Sequence, residues 1–152
     1  GTSVFIEDYE HFRISDDVVV IGMENGENFQ RIRGQQYLFG GLKVLFVSRY
    51  PQSTDLRTWL QMSPNRYIHF GDFDLAGIEI YQREFYVFLR ERSEFFIPAD
   101  VEERLKNGNR RLYDMQYARY KFMDIMDERL LPLVEMIHRY GKGYEQEGYI
   151  IG

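Results

Sequence analysis

Three short β-branched apolar runs, with room for a helix between each pair, constrain this chain more than any other feature. Val18 to Met23 reads Val-Val-Val-Ile-Gly-Met, nearly continuous and apolar, which is the pattern of a strand buried on both faces. Lys43 to Val47 is a second such run, and Arg66 to Gly71 is the third. Between the first two, Asn25 to Gly41 carries Phe29, Ile32 and Arg33 at a spacing that allows a helix before the Gly40-Gly41 break. Between the second and third, Ser53 or Thr54 is placed to cap a helix reaching Met62. Asp55 favours its first turn and Pro64 marks its stop. Strand, helix, strand, helix, strand implies a parallel sheet with right-handed crossovers.

The remainder reads as mostly helical. Ile78, Tyr81, Phe85, Phe88 and Leu89 recur at helical spacing and predict a long helix from about Leu75 to Arg92. Phe95 to Pro98 is a short extended piece ended by proline. From Asp100 to about Tyr140 the pattern is helical, broken near Asn107-Gly108-Asn109. There Leu130, Leu131, Val134, Ile137 and Tyr140 form the expected buried stripe, and Gly141 and Gly143 end the helix. The expected fold is α/β: one Rossmann-like domain over residues 1–152, a parallel sheet flanked by helices with a mostly helical C-terminal half. The 12 Tyr, 12 Phe and single Trp read mainly as core, because large aromatic side chains bury most area.

Composition narrows the function classes. No apolar run approaches the roughly 20 residues that span a bilayer, so no membrane partner is expected. There is no cysteine, hence neither a disulfide framework nor a thiolate zinc site, and a cytoplasmic setting is expected. A net charge of −5 argues against a generally basic DNA-coating protein. It leaves room for a nucleic-acid enzyme, whose metal site needs carboxylates. Gly1 in place of Met suggests a domain excised from a longer protein.

In open parallel sheets, sites form beyond the carboxyl ends of the strands. The first run is followed by Glu24-Asn25-Gly26 and the third by Asp72-Phe73-Asp74-Leu75-Ala76-Gly77. If those strands are neighbours, Glu24, Asp72 and Asp74 converge. Carboxylates so gathered repel one another and raise one another's pKa values. A hard divalent cation resolves that conflict, and magnesium takes oxygen ligands. Such an ion polarises a phosphodiester and lowers the pKa of a nucleophile, while Glu24 either binds metal or shuttles a proton. Asp-x-Asp alone is also a common helix cap, turn or solvated loop. Phosphatases that use Asp-x-Asp place it after their first strand, and sugar-nucleotide transferases that use it are usually larger.

Two segments together resemble the Toprim domain of the topoisomerase VI A-subunit type. Val19-Val20-Ile21-Gly22-Met23-Glu24-Asn25 is similar to its strand ending in an acid. Phe70-Gly71-Asp72-Phe73-Asp74-Leu75-Ala76-Gly77-Ile78-Glu79-Ile80 is similar to its Gly-Asp-x-Asp-x-x-Gly-x-x-Ile signature. Val44 to Ser48 matches the intervening strand. The nearest resemblance is to the Toprim-like C-terminal domains of Wadjet-type plasmid-defence nuclease subunits, which also carry a Glu-Gln-Glu motif like Glu145-Gln146-Glu147. The resemblance implies that Glu24, Asp72 and Asp74 ligate one or two Mg²⁺ ions, with Mn²⁺ as a substitute, and that Glu24 is the acid/base. It implies DNA as the partner, a homodimer, and a winged-helix or other N-terminal domain of the same protein. The nucleophile is then either a tyrosine outside this chain or water. A catalytically silent scaffold that binds DNA or protein is the alternative. Phosphoryl or nucleotidyl transfer of the primase type fits the signature less well. Glu145 and Glu147 extend the site or belong to a solvated tail, and neither is assigned to it.

Other residues carry weaker signals. His69 is expected on the sheet face opposite Phe70, packed or hydrogen-bonded rather than catalytic. Arg49, after the second strand, suits a DNA phosphate or has no role. Arg110, Arg111, Arg119 and Lys121 read as a solvated helix face among acids.

Overall fold

The computed structural model describes residues 8–24, 37–48 and 53–149, and of Ser53, Gln146 and Glu147 the backbone only. The expected helix between Asn25 and Gly41 falls largely outside these residues, as does Arg49. Among the described residues, four strands form one all-parallel sheet: β1 (Val19–Met23), β2 (Val44–Ser48), β3 (Tyr67–Phe70) and β4 (Ser93–Phe95), in the order β2-β1-β3-β4. Helices flank it, and the α/β, Rossmann-like expectation holds. The fourth strand is an addition. The extended piece expected at Phe95 begins earlier, at Ser93, and pairs with β3 instead of standing alone.

Burial explains the pairing order. All five residues of β1 and all four of β3 are buried, whereas β2 at the edge is half-buried throughout. The most apolar strands therefore take the centre. Below the sheet lies Phe70 with Phe39, Phe96 and Tyr149, their ring centroids 4.9 to 5.6 Å apart. On the other face His69 packs among Tyr67, Tyr81, Phe85 and Phe95. Alternation thus sends His69 and Phe70 to different faces, as the strand pattern requires.

Helix α1 (Ser53–Gln61) precedes β3, burying Trp59 and Leu60. Helix α2 (Leu75–Tyr81) follows β3 and continues through a π turn (Gln82–Tyr86), an α turn (Val87–Leu89) and a 3-10 turn (Arg90–Arg92). The expected 75–92 helix is therefore present but widened in its middle. The π turn coincides with Gln82, a fully buried side chain. Its amide donates to the Asp124 carbonyl at 3.0 Å and accepts from the Met126 and Asp127 amides at 2.7 and 3.1 Å.

After β4 come α3 (Val101–Lys106), α4 (Arg110–Tyr120) and α5 (Leu131–Tyr140), the last preceded by a 3-10 turn at Glu128–Leu130. Residues 121–127 break the helical pattern a second time, where Gln82 takes up their backbone groups. The buried stripe also shifts. Leu130, Leu133 and Ile137 are buried, whereas Leu131 is 46% exposed and Val134 and Tyr140 are half-buried. Helix α5 begins at Leu131 out of a 3-10 turn, and that change of pitch rotates Leu131 away from the core. No helix among the described residues is long and apolar enough to cross a membrane.

Candidate functional site

Because β2 lies on one side of β1 and β3 on the other, the chain reverses direction across the sheet between β1 and β3. Ligands in open α/β sheets gather at such a switch point. Gly22 is level with His69 and Met23 with Phe70, and the Glu24 amide donates to the Phe70 carbonyl at 3.4 Å. Glu24 and the Asp72–Asp74 loop therefore leave the sheet side by side.

Asp74 is the most constrained of the three acids. It is only 4% exposed and caps α2, accepting from the Gly77 amide at 2.7 Å. Gln116 on α4 reaches the same helix end, accepting from the Ala76 amide at 3.1 Å and bonding the Asp74 carboxyl. Burial pushes the Asp74 carboxyl above the ordinary aspartate range. The Gly77 and Gln116 bonds oppose that shift, and the charges of Glu24 and Glu145 add to it. The last two effects put Glu24 and Glu145 each within electrostatic reach of Asp74.

Glu24 is half-buried, and its Oε2 lies 3.1 Å from Nε2 of the fully buried His69. Asp72 is half-buried at the start of the loop. Its carbonyl oxygen occupies the space that a Cβ at Gly77 would fill, and Glu24 Oε2 occupies the space of a Cβ at Gly71. Each glycine of Gly-Asp-x-Asp-x-x-Gly is thus a close approach that a side chain would block. Among the described residues, however, no group of three or more His, Asp or Glu side chains is arranged to hold a metal ion.

Glu145 is the residue whose place the sequence left open. The chain after α5 folds back so that Phe73 and Tyr144 form an antiparallel bridge and Asn109 and Gly143 another. Gly143 packs on the Asp74 side chain, and Glu145, itself exposed, is brought near Asp74. The Glu-Gln-Glu spacing was the only signal for it. Glu147 lies outside the described side chains. Beside Glu145 runs an open cleft of about 510 Å³, lined in part by Asn107, Asn109, Arg110 and Tyr144.

Of the basic residues along and just after α4, Arg110 lines the cleft beside Glu145, while Arg119 and Lys121 are taken up by neighbouring rings. Arg110 donates to the Tyr140 carbonyl at 3.1 Å, Arg119 lies over Tyr120, and Lys121 lies over Tyr117 and Phe122. They form an exposed face, as the interspersed acids suggest.

The donor chemistry fits a hard divalent cation: carboxylate oxygens, without thiolate, whose mutual repulsion an ion would relieve. A carboxylate has two oxygens and about four acceptor sites, so neither the His69 bond to Glu24 nor the Gly77 and Gln116 bonds to Asp74 exhaust them. A scan against protein-family models found no match to the chain, and comparisons with curated proteins and with solved structures found none either.

Proposed function

We propose that this chain supplies a magnesium-binding site for phosphodiester cleavage in DNA, acting within a topoisomerase-like or nuclease protein, with Glu24, Asp72 and Asp74 as the ligands. The observation that supports it most is that Glu24 and the Asp72–Asp74 loop leave the sheet side by side at the switch point between β1 and β3; burial chiefly raises the Asp74 carboxyl, and the nearby Glu24 charge adds to that. Like charges gathered in a half-buried rim repel one another, and a bound cation relieves that cost. DNA as substrate, and Toprim as the family, rest on the motif resemblance.

The chain's own residues divide the work. Gly77 and Gln116 hold Asp74 at the head of α2, and His69 holds Glu24. A bound Mg²⁺ would supply Lewis-acid polarisation of the phosphodiester. Glu24, the more accessible of the two acids, is suited to accept a proton from an attacking hydroxyl or water.

A second reading has its own support. Asp74 serves as a helix cap and the glycines serve close packing, so the motif has structural uses that need no metal. On that reading the chain is a silent scaffold that binds DNA or protein. Titration with Mg²⁺ or Mn²⁺, followed by calorimetry and NMR, separates the two. Millimolar or tighter binding that Asp72→Ala abolishes supports the metal site. No binding by the wild type, or equal binding by Asp72→Ala, rejects it. For activity, the expected outcome is metal-dependent nicking of plasmid DNA that Glu24→Ala removes.

A further inference from the structure

Behind Glu24 stands a buried polar relay that the proposed chemistry has not used. His69 is 0% exposed and its ring makes two hydrogen bonds: Nδ1 to the Tyr67 hydroxyl at 2.8 Å, and Nε2 to Glu24 Oε2 at 3.1 Å. Tyr67 is itself fully buried, stacked on Phe85 at 4.6 Å. Tyr81, Phe85 and Phe95 close around the imidazole with ring centroids 5.2 to 6.0 Å away, so the ring has little freedom to turn. The backbone is shaped for the same relay. A Cβ at Gly22 would overlap the Tyr67 hydroxyl, and a Cβ at Gly71 would overlap Glu24 Oε2 and come within 3.0 Å of His69 Nε2.

The hydrogen-bond roles follow from donor chemistry. An ionised carboxylate only accepts, so Nε2 carries the hydrogen toward Glu24. A neutral imidazole protonated there has Nδ1 as acceptor, and the Tyr67 hydroxyl donates to it. One neutral tautomer thus satisfies phenol, imidazole and carboxylate together. A histidine that only filled the core would need neither partner, since a packed apolar side chain could take its place among the four aromatic rings.

We infer that His69 is a positioning residue for Glu24: Tyr67 selects the Nε2–H tautomer, and His69 then fixes the Glu24 carboxylate before a cation or substrate arrives. Groups behind a ligand that fix its orientation commonly alter metal affinity by about 10- to 100-fold, and a carboxylate held in advance loses less freedom on binding. The inference rests on the cation-site reading above and deepens it.

The test uses the whole chain, metal-free and then with Mg²⁺ alone. Nitrogen-15 NMR of labelled histidine is expected to show His69 as the neutral Nε2–H tautomer in the wild type. A ring protonated at Nδ1 instead overturns the inference. Calorimetry is expected to show Mg²⁺ binding weakened about 10-fold in His69→Leu. His69→Gln, which keeps a neutral N–H donor of similar reach, is expected to recover most of that affinity. Tyr67→Phe keeps the aromatic stack and removes the hydroxyl that bonds Nδ1; it is expected to mix the tautomers and weaken Mg²⁺ binding. This variant decides the question if His69→Leu does not fold. Wild type that binds no Mg²⁺ removes the cation-site reading and the inference with it. Wild type that binds Mg²⁺ while Tyr67→Phe and His69→Leu bind equally well removes the inference alone.

Discussion

Phe73 and Tyr144 stack with ring centroids 4.7 Å apart and planes 11° from parallel, while their backbones exchange hydrogen bonds of 3.0 and 3.2 Å. This pairing joins the Asp-x-Asp loop to the chain after α5. It sets Gly143 against Asp74 and carries Glu145 toward the acids. Arg104 reinforces it, donating to the Tyr144 hydroxyl at 2.9 Å and lying 4.5 Å from the Tyr149 ring centre.

Tyr144→Ala should therefore loosen both segments together. The expected loss is about 1–3 kcal/mol, from the ring pair and the packing behind it, read from denaturant unfolding. Hydrogen exchange at the Phe73 amide should quicken. Unchanged exchange there would show that the bridge does not hold the loop. Glu145→Gln should leave stability nearly unaltered and bring the Asp74 carboxyl down toward its ordinary range, measured by carbon-13 NMR, because one of the charges raising it is gone.

The two motif glycines should respond differently to the same substitution. At Gly77 an added Cβ meets the Asp72 backbone carbonyl, which cannot swing aside. Gly77→Ala should cost about 1–3 kcal/mol, as overpacking does. At Gly71 it meets the end of the flexible Glu24 side chain. Gly71→Ala should cost less than about 1 kcal/mol while detaching Glu24 from His69, seen as a change in the His69 nitrogen shifts. Equal destabilisation by both variants would contradict this account.

The buried Asp127 gives a pH dependence. Burial raises its carboxyl, but hydrogen bonds from Arg129 and Tyr81 at 2.8 Å outweigh that and hold it below its ordinary value of 3.8. A group lowered in the folded state adds stability above its unfolded pKa and loses it as pH falls through the folded one. Asp127→Asn should cost about 2–3 kcal/mol at neutral pH, the scale of charge-assisted hydrogen bonds. The gap between wild type and variant should close as pH drops below 3.8. A gap independent of pH would mean that the charge plays no part.

Arg90 turns the chain into β4 with φ of 52° and ψ of −135°, a conformation that favours glycine. Ser93 holds it there, its hydroxyl donating to the Arg90 carbonyl at 2.8 Å. Arg90→Gly should raise stability by about 1 kcal/mol, since strain of this kind costs roughly 1–3 kcal/mol and the flexible unfolded glycine returns part of it. A lower melting temperature would count against that strain.

The two central strands were legible in the chain because a strand buried on both faces is mostly apolar, and Val19–Met23 and, His69 apart, Tyr67–Phe70 are; the half-buried edge strand Val44–Ser48 was legible as a β-branched apolar run. Glu24, Asp72 and Asp74 were legible as candidates because they fall in the loops that leave the carboxyl ends of the two central strands. β4 was less visible: it has three residues, and partly exposed Glu94 leaves it little apolar pattern. The breaks in the helical half were hidden for another reason. Gln82 and the 121–127 segment satisfy each other across more than 40 positions, and periodicity reports only on near neighbours.

By itself, then, the sequence determined that a parallel sheet would form and that its carboxyl rim would be acidic, since both follow from residues adjacent in the chain. Tertiary structure alone decided what those acids touch: the order of β1 and β3, the Tyr67–His69 relay behind Glu24, the use of Asp74 as a cap, and the return of Glu145. Each of these depends on contacts between distant segments, where shape and hydrogen-bond geometry choose the partner.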